Sequence, residues 1–121
     1  MNRVVFTAFI ALLLTACGKS IESSAPSPQK AAERVQQAYA NADSDIKQAV
    51  ASLSESMLKE DFEQAVISLT TIRSRPAATP EQQQAIVQSA QAIEMNLISR
   101  MNAGDKNAQR AYQLMKELKR N

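Results

Sequence analysis

The sequence contains no His and no Trp, a single Cys, two Gly, four Pro and few aromatic residues. Without His there can be no Ser-His-Asp or Cys-His catalytic arrangement, and no imidazole is available to hold a metal. With one cysteine, Cys17, no disulfide can form within the chain. The two glycines, Gly18 and Gly104, stand alone, so no glycine-rich loop exists to cradle a phosphate. Acid–base catalysis by paired carboxylates survives only formally, because the acids fall mostly at expected helix ends or on polar faces, where they solvate and cap. Glu94 is the exception: beside Ile93 and Leu97 it is expected to be partly buried and paired with an arginine. These absences predict a protein that is not an enzyme and uses neither cofactor nor metal. Charge is close to balanced, 14 Lys plus Arg against 12 Asp plus Glu. Residues 1–16 hold Arg3 and no acid, so the remainder is closer still to neutral and offers no electrostatic basis for binding nucleic acid.

What is present begins with a segmented amino terminus. Arg3 and the terminal amine precede an apolar run from Val4 to Leu14. As a helix that run spans ~17 Å, too short to cross a bilayer core of about 30 Å but suited to a cleavable export signal. It ends in Leu14-Thr15-Ala16-Cys17, which resembles the lipobox of bacterial lipoproteins. The resemblance implies cleavage after residue 16, a diacylglyceryl thioether on Cys17 and acylation of the new amine. It thus implies a membrane partner reached through lipid on Cys17. In Gram-negative members of that family an Asp after the cysteine retains the protein in the inner membrane. Gly18 therefore implies the outer membrane, with the protein facing the periplasm. Residues 17–27 comprise the cysteine and a small, polar, aperiodic stretch that reads as a tether. Its ten residues from Gly18 to Ser27 reach ~35 Å at full extension.

Residues 28–121 read as one all-α domain, a small antiparallel bundle or helical-hairpin array of about four helices. Ser27-Pro28 places a capping hydroxyl before a proline at the first helical position. From there apolar or small residues recur at Ala32, Val35, Tyr39, Ala42, Ile46, Ala49, Val50, Leu53 and Met57 without a slip in phase. This predicts one continuous or gently bent helix over 28–58, with the polar stretch Asn41 to Asp45 as the one place for a break. Phe62, Ala65, Val66, Leu69 and Ile72 stripe a second helix that Pro76 terminates. Thr79-Pro80-Glu81-Gln82 opens a third, with Ile86, Ala90, Ile93, Leu97 and Met101 on one face and Val87 and Ile98 beside it. Gly104 stops that helix, and Asp105 caps a last one over 106–119, carrying Ala108, Ala111, Tyr112, Met115 and Leu118.

Asp61-Phe62-Glu63-Gln64-Ala65-Val66, with Pro76 beyond, resembles the second helix of a tetratricopeptide repeat, and Leu53 and Met57 stand where the preceding helix supplies its contacts. The resemblance covers one hairpin, residues 45–76, and departs from the family at Glu60, where Gly is usual. It implies no ligand-binding residue. The expected role is a lipid-anchored, non-enzymatic interaction or scaffold module with a protein partner or a second copy of itself. The alternative is an inhibitor or immunity-type lipoprotein that blocks a toxin or envelope hydrolase. Val35 and Tyr39 form the candidate partner surface, since the long first helix outreaches the second; the competing expectation is that the third helix covers them. The anchor is directly testable: Cys17→Ser should abolish acylation, and mass spectrometry of the wild type should find a mature chain that starts at an acylated Cys17.

Overall fold

The computed structural model describes residues 26–77 and 79–120. Five α-helices follow one another: α1 (Pro28–Ala38), α2 (Ser44–Leu58), α3 (Phe62–Arg73), α4 (Pro80–Asn102) and α5 (Lys106–Arg120). The all-helical class is as the sequence implies, with one more helix. The expected continuous helix over 28–58 is corrected to two. Tyr39 closes α1 by donating its N–H to the Val35 carbonyl, and Asp43 restarts the chain in an extended conformation ahead of α2. Unbroken apolar phase did not reveal the reversal, because doubling back buries both halves of the stripe at once. Val35 of α1 and Val50, Leu53 and Met57 of α2 enter one core, and the Ser54 hydroxyl donates to the Ala32 carbonyl across the seam at 2.9 Å.

The remaining boundaries follow local chemistry. Ser27 accepts a hydrogen bond from the Lys30 amide, Asp61 from that of Gln64, and Thr79 from that of Gln82. Asp105 accepts from both Asn107 and Ala108. Each satisfies N–H groups that the first turn of a helix leaves without an intrahelical partner.

Two of the connections are built alike. At the end of α2, Glu60 donates to Met57 and Asp61 to Ser56; at the end of α4, Gly104 donates to Met101 and Asp105 to Arg100. Both are helix stops with a left-handed residue, Glu60 at φ 61° and Gly104 at φ 89°. Glu60 thus carries a side chain where the backbone favours glycine.

Helix α1 packs on α2 and α4, α2 on α3, α3 on α5, and α5 on α4, so the five helices close a ring with α3 also reaching α4. The core is lined by Val35, Tyr39, Leu53, Met57, Phe62, Val66, Leu69, Ile72, Ile93, Leu97 and Met115, and among the described residues every buried one lies between Ala31 and Met115. A chain starting at Gly18 should be strongly helical by circular dichroism and melt cooperatively. In that chain Gly104→Ala should lower stability by about 1 kcal/mol, although a Cβ there would meet nothing within 4 Å, because the penalty arises from the left-handed backbone alone.

Candidate functional site

Leu14, Thr15, Ala16, Cys17 and Gly18, the residues of the expected lipidation and sorting signals, lie outside the described residues. Val35 and Tyr39 do not form a surface. Val35 is 0 % exposed and Tyr39 5 %, because the break after Ala38 lets α2 fold over one side of α1 while α4 covers another. The candidate partner surface is thereby withdrawn, and the covered alternative is what the structure contains.

The interface that covers them opens into a cleft at its upper end. Helices α1 and α4 run antiparallel: Gln82 Nε2 donates to the Ala38 carbonyl at 3.3 Å, and Arg34 donates to Gln88 Oε1 at 2.8 Å. Above this row lies an open cleft of about 530 Å³, walled by Arg34, Gln37, Gln84 and Gln88 over Ala38 and Ala85. The small side chains of Ala38 and Ala85 leave room, and the amides around them offer donors and acceptors in adjacent positions. The only carboxylate in this wall is Glu81. Sequence reasoning missed the cleft, since glutamines at helical spacing look the same on any solvated face.

At the opposite end of α4 one guanidinium ties the two similar turns together. Arg100 meets the carboxylates of Glu60 and Asp105, donates its Nε–H to Asn96 Oδ1 at 3.2 Å, and lies 5.1 Å from the Phe62 ring centre. With the side chain one-third exposed, these contacts form a structural clasp, and the neighbouring hollow of about 310 Å³ is walled by the same groups. Glu94, expected beside an arginine, instead pairs with Lys119 of α5 at 3.3 Å. The partner is a lysine because α5 returns alongside α4 and brings its own last turn to Glu94.

Helices α4 and α5 carry a second feature. The outer face of α4 holds Gln84, Val87, Gln91, Met95, Ile98 and Asn102, none of them charged, and Val87, Met95 and Ile98 are between 38 % and 50 % exposed. Val87 and Ile98 sit beside the buried stripe in the sequence, and the structure turns them outward. The outer face of α5 holds Lys106, Arg110, Lys116 and Arg120, which form no ion pair with any described residue. Lys116 lies over the Tyr112 ring at 5.2 Å.

Among the described residues there is no group of three or more Asp, Glu, Cys or His that could hold a metal, and no helix is long and apolar enough to cross a membrane. Comparison with protein-family models, curated proteins and solved structures finds no match to this chain.

Burial raises the pKa of the Tyr39 phenol above its ordinary 10.0, because the charged phenolate loses hydration inside the fold. The neutral phenol is thus the form the fold prefers, and its contribution to stability is complete below pH 10 and lost as the pH rises through the folded value. Thermal melts at increasing alkalinity should show a fall in stability above pH 10 that is smaller in Tyr39→Phe.

Proposed function

We propose that the chain is a lipid-anchored helical interaction module of the bacterial envelope, without enzymatic activity, that holds a protein partner by an extended segment of its backbone. The observation that carries this reading is the cleft between α1 and the start of α4. Its size, near 530 Å³, falls within the range of ligand sites, yet it is open rather than enclosed. Gln37, Gln84 and Gln88 each present a carbonyl and an amide, which matches the alternating N–H and C=O of a polypeptide. Arg34, held by Gln88, adds a cation at the edge. Nothing in the cleft couples a nucleophile to a base, which supports binding over chemistry. The lipobox-like Leu14-Thr15-Ala16-Cys17 supports the anchor, and Gly18 supports the outer membrane facing the periplasm.

A photo-crosslinking amino acid at Gln37 or Gln84 of the full chain, expressed in cells, tests the reading. A resident envelope protein should be captured from both positions, and capture should fall at least tenfold when Arg34→Ala and Gln88→Ala are combined. Capture of only a hydrolase or toxin supplied from outside would favour the inhibitor alternative. Crosslinks from distant positions such as Lys47, but none from the cleft, would overturn the assignment.

A further inference from the structure

The two exposed faces of α4 and α5 belong to one surface. Helix α3 packs against both, and the ion pair between Glu94 and Lys119 joins them edge to edge. On each helix the exposed positions lie opposite the buried ones, Ala85, Ile93 and Leu97 on α4 and Ala108, Ala111 and Met115 on α5, so the two exposed sides adjoin along the Glu94–Lys119 edge. This surface sets Met95 and Ile98, half-exposed and apolar, beside a row of cations running the length of α5. Lys106, Arg110, Lys116 and Arg120 face solvent with Glu117 as the one acid among them, and Glu94 is already neutralised by Lys119. Unpaired cations beside apolar side chains are the chemistry of a protein face that rests on an anionic bilayer, with ammonium and guanidinium groups at the phosphates and short apolar groups entering the interface.

The path of the chain agrees with this. The antiparallel pairs Ala38–Gln82 and Arg34–Gln88, carried two turns further back along α1, bring Pro28 to the level of Met95 on α4. The segment leading back to Cys17 thus enters the fold at the same level as the apolar pair, and its ten residues need only cross ~35 Å or less to bring this surface to the headgroups. We propose that the α4–α5 surface lies on an anionic lipid bilayer and fixes how the domain sits on the membrane, leaving the cleft at the other end of α4 open to a partner. The orientation rests on the lipid-anchored reading. The affinity of the surface for anionic headgroups does not.

The test uses the purified chain from Gly18 to Asn121, which contains every buried residue among those described and carries no acyl group, in sedimentation with phosphatidylcholine vesicles with and without phosphatidylglycerol. Binding should require phosphatidylglycerol and be reversed by salt. Neutralising Lys106, Arg110, Lys116 and Arg120 to Gln should weaken it on the order of a hundredfold or more, at roughly fivefold per cation. Met95→Gln with Ile98→Gln should weaken it about tenfold, with little salt dependence, through lost apolar contact. Neutralising Lys30, Lys47 and Lys59, which are exposed on α1, on α2 and just beyond α2, is the control and should leave binding within twofold. All three variants alter exposed positions and should keep the wild-type circular dichroism spectrum and melting temperature. The proposal is overturned by equal binding to both kinds of vesicle, or by equal loss in the control. No binding to either kind of vesicle would also overturn it, and crosslinks from Lys116 to an acidic protein in cells would then name the occupant instead. Since no lipid on Cys17 and no partner in the cleft enters this assay, failure here leaves those readings standing.

Discussion

The close approach of helices across small side chains is the constraint on which the rest of this structure depends. Among the described aromatics only Tyr39 and Phe62 are buried in the core, so most of its volume comes from aliphatic residues and from bringing backbones together. Ala31, Ala32 and Val35 on α1 are buried, as are Ala85, Ser89 and Ala92 on α4, which follow one another along a single face of that helix. Small residues let dispersion contacts form directly between helix backbones, where larger groups would hold them apart. Serine serves the same purpose if its hydroxyl finds an acceptor. Ser54 uses the Ala32 carbonyl, Ser56 that of Ser52, and Ser52 shares a hydrogen bond with Ser68 across α2 and α3. Ser89 is fully buried with its hydroxyl without a partner among the described residues, a penalty of about 1–3 kcal/mol on the α4 face.

Helix α4 is the element that makes a ring of the five. At 23 residues it is about 35 Å long, against ~17 Å for the 11 residues of α1. It therefore has length to spare on α1, and the spare part reaches Arg100, where Glu60, Asp105 and Phe62 gather. Arg100 is only one-third exposed, so its contacts are less screened than those of an ordinary surface pair, and its side chain packs on Phe62 as well as carrying charge. The cleft and the clasp lie at opposite ends of one rigid helix, and their separation is set by its length.

Much of this was legible in the residues, and what was not has a physical reason. Helix starts at Pro28 and Pro80, the stop at Gly104 and the cap at Asp105 are local signals, carried by residues within one turn of the event. The apolar stripes also named the core, from Leu53 and Met57 through Ile93 and Leu97. The reversal at Tyr39 to Asp43 was hidden because periodicity records which side of a helix is apolar and says nothing of direction. The Arg100 clasp joins residues far apart in sequence, so no window along the chain could contain it. The cleft was invisible for another reason: Gln37, Gln84 and Gln88 acquire meaning only when α1 and α4 are set side by side.

The order of contacts also governs how such a ring can come apart. The hairpins α2–α3 and α4–α5 are each joined by one tight turn, whereas α1 meets α4 only after most of the chain has been laid down. Local hairpins close early and non-local pairings late, which makes the α1–α4 seam the natural last step of folding and the first to open. Helix α1 is also the segment that any pull from the amino-terminal side must pass through. A mechanical load on that side would be borne by the two seams that hold α1, the α4 side with its alanines and two side-chain hydrogen bonds and the α2 side with Val35 and the bond from Ser54 to the Ala32 carbonyl, while the two hairpins behind them kept their shape.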